Sequence, residues 1–225
     1  MSSKASQLPS LEFERSFFET GSRFIVGVDE VGRGSIAGPV AVGVSLIDSQ
    51  RDLSAWPVKL KDSKLISEKV REEIYPEVCS WVSGWAVGMA SVAEIESKGI
   101  VESLRLAGMR ALEQLVRDPA LRQAIATDRA TVILDGSHNW LGKEVFGMQV
   151  TVKTKADRDC VSVACASVVA KVTRDRHMCE IDLENPSFGL ATNKGYASEA
   201  HIAALRELGP SPIHRHSWLT KILAR

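Results

Sequence analysis

The chain carries 225 residues, 44% of them hydrophobic and 25% charged, enough apolar material for one sizeable core and a single domain over residues 1–225. Lysine plus arginine and aspartate plus glutamate balance at 28 each, so no global positive field announces a non-specific DNA binder, although local basic surface beside an acidic site stays open. No run of about 18 apolar residues spans a membrane, residues 1–10 lack the core of a signal peptide, and Cys79, Cys160, Cys165 and Cys179 form neither a C-x-x-C pair nor a zinc spacing with histidine; reduced thiols and a cytoplasmic location are the expectation.

Residues 1–20 read as a lead-in segment in which Ser10 caps a short helix that turns Leu11, Phe13, Phe17 and Phe18 towards the core. Residues 24–28 (Phe-Ile-Val-Gly-Val) are too few for a helix and rich in β-branched and aromatic side chains, which predicts a buried strand. Asp29 and Glu30 fall at its carboxyl end. Adjacent carboxylates at a core edge repel each other and lose hydration, so they persist where water, hydrogen-bond donors or a hard divalent cation compensates. Neighbours on a regular strand point to opposite faces, so both acids meet one site only if the strand ends or bends there, and Gly32 and Gly34 permit a bend. The glycines fit neither familiar phosphate loop: no Gly-Lys-Ser/Thr follows, and Gly32, Gly34 and Gly38 are spaced G-x-G-x-x-x-G. Residues 40–47 are strand-like again, so the turn joins strand to strand; a plain hairpin turn with two solvated acids is the bland reading.

Residues 48–57 form a polar loop, and Ser67 caps a helix with Val70, Ile74 and Val78 on one face. Asp62-Ser63-Lys64, just before it, reads as loop and capping residues, but a lysine and a hydroxyl near a helix amino terminus also make a phosphate site. Residues 81–90 alternate as a strand, and Ser91 with Glu94 makes a capping box for the next helix. Residues 100–117 carry a structural helical stripe through Leu104, Ala107, Ala111 and Leu115 that Asp118-Pro119 interrupts. Residues 131–136 repeat the opening theme, a buried β run that delivers Asp135 and then a glycine, where catalytic groups gather in open α/β sheets. Residues 145–153 form another β run, and the polar turn 154–159 leads to an apolar helix over 161–172 whose Ala164, Ala166, Ser167 and Ala170 let it lie close to the sheet. Residues 173–177 finish that helix with charge. A loop over 193–198 precedes a final helix through Leu208, and residues 209–218 close the chain.

Four acids thus stand at sequence-distant points, at or beyond strand ends or before the long helix: the pair Asp29 and Glu30, then Asp135, then Asp157. If the sheet gathers them they form an oxygen-rich cluster that cannot stay ionised without cations, for which Mg2+ or Mn2+ fits best. Asp159 is the main rival for the fourth position, while Asp175 among Arg174 and Arg176 reads as a structural ion pair.

Several motifs resemble one family in consistent order from Phe24 to Trp218. Asp29-Glu30-Val31-Gly32-Arg33-Gly34 followed by Ala37-Gly38-Pro39, the Asp62-Ser63-Lys64 element with Ser67, and Lys155-Ala156-Asp157 with the run from Ala166 to Asp175 resemble the signatures of ribonuclease HII, the type 2 ribonuclease H family. The resemblance implies a ribonuclease H-like α/β fold, a central mixed sheet with its first strands antiparallel and helices on both faces. It makes the four acids a catalytic tetrad holding Mg2+ or Mn2+, two ions during catalysis. It also assigns ribose reading to the backbone of Gly32, Arg33 and Gly34 and to Tyr196, where a surface-packing aromatic is the bland alternative. Lys64, Ser167 and Lys171 are candidates for phosphate contacts. For His214 and His216, binding or positioning nucleic acid stands beside a packing role.

The implied activity is metal-dependent endonucleolytic hydrolysis of RNA in RNA–DNA hybrids and at isolated ribonucleotides in duplex DNA, leaving 5′-phosphate and 3′-hydroxyl ends. A monomer with no obligate protein partner is the expectation. Ser35 stands where another residue is frequent and Ala156 where a glycine is; neither removes a catalytic group. A junction resolvase of the same fold would share the acids without needing the Gly-Arg-Gly and tyrosine elements, and an inactive hybrid-binding module would not need the intact acids.

Overall fold

The valine-rich runs become the strands. In the computed structural model, which describes residues 8–223, β1 (Phe24–Val31), β2 (Val40–Asp48), β3 (Gly84–Ala90), β4 (Ala130–Asp135), β5 (Glu144–Val145) and β6 (Met148–Lys153) form one sheet in the order β3-β2-β1-β4-β6-β5. The first three pair antiparallel, β4 and β6 run parallel to β1, and β5 returns antiparallel on β6. This is the mixed sheet expected. Residues 1–7 of the predicted lead-in lie outside the described residues.

The helices follow their caps. After α1 (Glu12–Glu19) comes α2 (Glu68–Trp81), where the Ser67 side chain accepts the Val70 N–H at 3.4 Å. At α3 (Val92–Lys98) both arms of the Ser91–Glu94 capping box form, at 3.2 and 2.8 Å. α4 (Ile100–Leu115) is followed by α5 (Pro119–Asp128), which Asp118 caps with Pro119 in its first turn. The rest are α6 (Ala156–Asp159), α7 (Val161–Glu184), α8 (Leu190–Asn193), α9 (Glu199–Leu208) and α10 (His216–Leu223). Among the described residues none is long and apolar enough to cross a membrane.

The two faces of the sheet bury different partners. Val26, Val28, Val42, Val44, Val132 and Leu134 pack with Leu104, Ala107 and Leu112 of α4, as strand alternation requires. On the other face α7 lies so close that a Cβ on Gly27 would stand 2.3 Å from the Ser162 carbonyl carbon, and one on Gly43 2.4 Å from the Ala166 oxygen. Every residue of α7 from Val161 to Ala170 is buried, because α2 and its neighbours cover the outer side through Ile74 and Val78.

Several boundaries differ from the sequence expectation, each for a local reason. β1 continues through both acids to Val31, because β2 offers partners as far as Ala41. The run 145–153 is two strands, broken at Phe146 and Gly147, whose φ values of 51° and 79° make a tight hairpin turn. The 81–90 run is strand only from Gly84, since α2 keeps Trp81. The charges at 173–177 do not end α7, which runs on to Glu184, and the turn 154–159 contains the single helical turn α6 after Lys155 at φ 60°. The helix through Leu208 is not the last, as α10 follows it. Ser10 stands one residue before the capping position Leu11, and its hydroxyl accepts the Glu12 N–H at 3.4 Å; its backbone also clasps the start of α7, donating to the Asp159 carbonyl at 3.0 Å and accepting from Val161 at 3.3 Å.

Candidate active site

Parallel pairing decides where the acids meet. Val28 of β1 stands opposite Leu134 of β4, so the next step along both strands sets Asp29 beside Asp135, on the same face and on strands about 4.8 Å apart. Asp29 is buried, and burial, then the charge of Glu30, then that of Asp135, holds its carboxyl well above the ordinary range while Lys64 pulls it down. Regular alternation along β1 turns Glu30 away from Asp29, yet it stands one residue short of the strand end and its charge still reaches Asp29 and Asp135. It too is raised, by burial first and then by Asp135, against the opposing guanidinium of Arg33 at 3.5 Å. The two neighbours therefore sense the same third acid at the strand end.

Asp135 Oδ1 accepts the Ala156 N–H at 2.7 Å, which fastens the end of β4 to the first turn of α6 and so delivers Asp157 to the same place. Asp157 is 6% exposed, its Oδ2 lies 3.7 Å from Lys64 Nζ, and burial followed by the charges of Asp135 and Asp62 pushes it up to about 6. Asp159 is engaged elsewhere, bonded to Lys153 at 2.8 Å beside Ser10 and Phe13. Asp175 does sit in a structural ion pair, though with Lys171 at 2.6 Å and Arg71 at 3.8 Å, because Arg174 turns inward. Among the described residues no three His, Cys, Asp or Glu side chains close up into a ready-made metal cage. The donor chemistry nevertheless fits a hard divalent cation: the carboxylates crowd one another in a desolvated corner, and a positive ion is what would relieve them.

The remaining candidates surround this corner. Lys64, in the short turn Ser63–Leu65, keeps an exposed side chain whose charge reaches Asp29, Glu30 and Asp157. Ser167 is buried with its hydroxyl 2.7 Å from that of Ser63, which sets it beneath Lys64, and Lys171 is held by Asp175 at 2.6 Å. Arg33 is half-exposed. Gly32 has φ 79°, and a Cβ there would meet Arg174 Nε at 2.1 Å, whereas a Cβ on Gly34 would enter open space. Tyr196 is 39% exposed, and its neighbour Gly195 accepts the N–H groups of Ile36 and Ala37 at 2.8 and 3.1 Å, which brings the tyrosine to the glycine turn.

Sequence reasoning passed over what lies beneath that turn. Arg174 and Arg215 are both fully buried and both bond to backbone carbonyls of the segment 32–39. His201 and His214 are buried side by side. Because Ser211 donates its N–H to His214 Nδ1, the His214 proton sits on Nε2, aimed at His201 Nε2 3.1 Å away, and His201 donates from Nδ1 to the Tyr196 carbonyl at 2.9 Å. His214 thus packs and His216 bonds the Ser211 carbonyl at 3.1 Å. A charged helix tail and the Pro-Ile-His-Arg-His stretch were the only local signals.

The family model described as "Ribonuclease HII" matches residues 26–221. The chain belongs to the ribonuclease HII family. A ribonuclease HII of Streptomyces avermitilis is 45% identical over 212 residues, covering 93% of this chain and 83% of that one. The crystal structure of the ribonuclease H2 from Pyrococcus horikoshii superposes with a TM-score of 0.64 at 25% identity, covering 90% and 98% of the two chains. That of Bst-RNase HIII in complex with Mn2+ shares the fold with a TM-score of 0.66 at 24% identity, over 88% and 68%. Family membership makes this chain an endoribonuclease H, an enzyme that cleaves RNA in RNA–DNA hybrids.

Proposed function

We propose that this endoribonuclease also cuts at a single ribonucleotide embedded in duplex DNA, leaving 5′-phosphate and 3′-hydroxyl ends, and that Asp29, Glu30, Asp135 and Asp157 hold the Mg2+ or Mn2+ it uses. The observation that carries the reading is the continuity of the Gly32-Arg33-Gly34 turn with the acids. The turn begins two residues after Glu30, is tied to Gly195 beside Tyr196, and leaves the Arg33 and Gly34 N–H groups without a protein acceptor among the described residues. Backbone donors and a phenol beside a carboxylate cluster are what a site needs to find one 2′-hydroxyl and place the adjoining phosphate over the acids.

Bound divalent ions would supply activation of a water and stabilisation of the leaving oxygen; Mn2+ is bound in the Bst-RNase HIII structure. The chain's own side chains do the placing. The four carboxylates bring oxygen donors to one corner, and Lys64 offers an exposed ammonium within reach of them for a phosphate. Ser167 bonds Ser63 next to Lys64, and Lys171 neutralises Asp175 one turn further along α7. Tyr196 presents a ring and a hydroxyl at the ribose side of the turn.

Cleavage of a duplex with one ribonucleotide, with the ends identified on sequencing gels, tests the product assignment. Tyr196→Phe loses a hydrogen bond worth roughly 0.5–1.5 kcal/mol, and Tyr196→Ala loses in addition an aromatic contact of about 1–3 kcal/mol. Both losses should be larger on the lone ribonucleotide than on a continuous hybrid, where many registers offer a ribose. Equal losses on both substrates would assign Tyr196 to general binding or folding.

A further inference from the structure

Two arginines buried without a carboxylate partner are an expensive arrangement. Arg174 and Arg215 are both 0% exposed, and among the described residues neither has an acidic side chain within ion-pair distance. Burying a guanidinium on these terms costs more than packing an apolar side chain in the same space, so its retention calls for something only a rigid fork of donors provides.

The donors are spent almost entirely on one turn. Arg215 gives Nη2 to the Gly32 carbonyl at 2.8 Å, Nη1 to that of Arg33 at 3.0 Å, and Nη2 and Nε to that of Gly38 at 3.1 and 3.3 Å. Arg174 gives Nε to Pro39 at 2.8 Å, Nη2 to Ala37 at 3.3 Å and to Ser35 Oγ at 2.8 Å, and Nη1 to Lys194 at 2.9 Å. Ser35 passes the bond on, its hydroxyl donating to the Gly32 carbonyl at 2.8 Å. Gly32 therefore has its carbonyl held by Arg215 and by both the hydroxyl and the N–H of Ser35, and its α-carbon pressed against Arg174. A peptide unit is planar, so a carbonyl drawn inward turns the N–H of the same unit outward: fixing the carbonyls of Gly32 and Arg33 fixes the amides of Arg33 and Gly34. Arg174 also lies 5.8 Å from the Tyr196 ring centre and grips the Lys194 carbonyl, so one guanidinium spans both walls of the ribose site.

We propose that Arg174 and Arg215, relayed through Ser35, are positioning residues for ribose discrimination, holding the Arg33 and Gly34 amides and Tyr196 in fixed relation without touching substrate. The inference rests on the ribose-reading role given above to that turn and to Tyr196. It also gives Ser35 a purpose, as the hydroxyl that joins the Arg174 guanidinium to the Gly32 carbonyl.

The test is a ratio that loss of folded protein does not move. With the full chain in Mg2+, KM is measured for a DNA duplex carrying one ribonucleotide, and Ki for the same duplex entirely of DNA used as competitor. Partial misfolding lowers the apparent kcat and leaves KM, Ki and their ratio alone. Arg215→Lys and Arg174→Lys keep the charge and lose the fork, so Ki should hold while KM rises, and Ki/KM should fall by about three- to tenfold, the worth of one or two hydrogen bonds. Ser35→Ala removes a single buried hydroxyl and should reduce the ratio by about threefold. If wild type itself does not distinguish the two duplexes, the ribose-reading role fails and this inference with it. If wild type distinguishes them and Tyr196→Phe weakens that distinction, yet the folded lysine variants retain the wild-type ratio, the arginines are structural and the inference alone is overturned. Should the lysine variants not fold, an unchanged ratio in Ser35→Ala overturns it equally.

Discussion

Gly27→Ala tests whether the contact between α7 and β1 sets the geometry of the acids. Gly27 has no left-handed backbone to excuse it, so the substitution acts through sterics alone. The new Cβ would lie 2.3, 2.4 and 2.5 Å from the Ser162 carbonyl carbon, its oxygen and the Val163 nitrogen, all backbone atoms that no rotamer change can move. Restoring an ordinary contact of 3.4 Å means opening the joint by 3.4 − 2.3, or about 1.1 Å. Overpacking of this kind costs roughly 1–3 kcal/mol, and at about 2–4 °C per kcal/mol for a chain of this size Tm should fall by roughly 2–12 °C. Asp29 lies two residues along β1 on the same face and Asp157 five residues before Ser162, so their separation absorbs the displacement. Misplacement by about 1 Å costs on the order of 10²-fold in rate. Circular dichroism melting and kcat/KM on an RNA–DNA hybrid, measured well below Tm, read the two effects; Gly34→Ala, whose Cβ meets nothing, is the control for Tm. Unchanged Tm and unchanged kcat/KM in Gly27→Ala would refute the reasoning.

Amide replacement of Asp29, Glu30, Asp135 or Asp157 should lower kcat on a hybrid by about 10³-fold or more, several kcal/mol of lost electrostatic stabilisation. Asp159→Asn, which only loosens Lys153, should stay within about threefold, and the reverse order for Asp157 and Asp159 would reassign the fourth acid. Because burial and the charge of Glu30 raise the Asp29 carboxyl, Asp29→Asn should also increase Tm in EDTA; a decrease would show that the carboxylate is held by its neighbours rather than opposed by them. Burial, then the charge of His201, holds His214 down at about 4, below the value near 6.5 expected when unfolded. The unfolded chain then binds the proton first, so this contribution is complete above pH 6.5 and is lost as pH falls towards 4, up to about 3 kcal/mol in all. Tm measured from pH 7 to 4.5 should fall less steeply in His214→Asn than in wild type, and parallel curves would contradict the neutral pair.

Strand and helix content were written locally, in β-branched runs, in the Ser67 cap and in the Ser91–Glu94 box, because those signals depend on neighbours a few residues away. The boundaries that moved did so where a distant partner took over: β2 extended β1 past Asp29 and Glu30, and cover by other elements carried α7 beyond its charged residues. The sequence alone also determined the family, because acids, glycines and the Asp-Ser-Lys element recur in a fixed order. It could not say which face each acid takes, that Asp135 would fasten α6, or that Asp159 would turn away to Lys153. Tertiary structure alone decided those points, and most plainly the two buried arginines. Arg215 meets the Gly32 carbonyl across 183 residues of chain and Arg174 meets the Pro39 carbonyl across 135, and no local pattern marks an arginine whose partners are backbone carbonyls. A carbonyl is the same group in every residue, so what it will bind is settled only when the chain has folded around it.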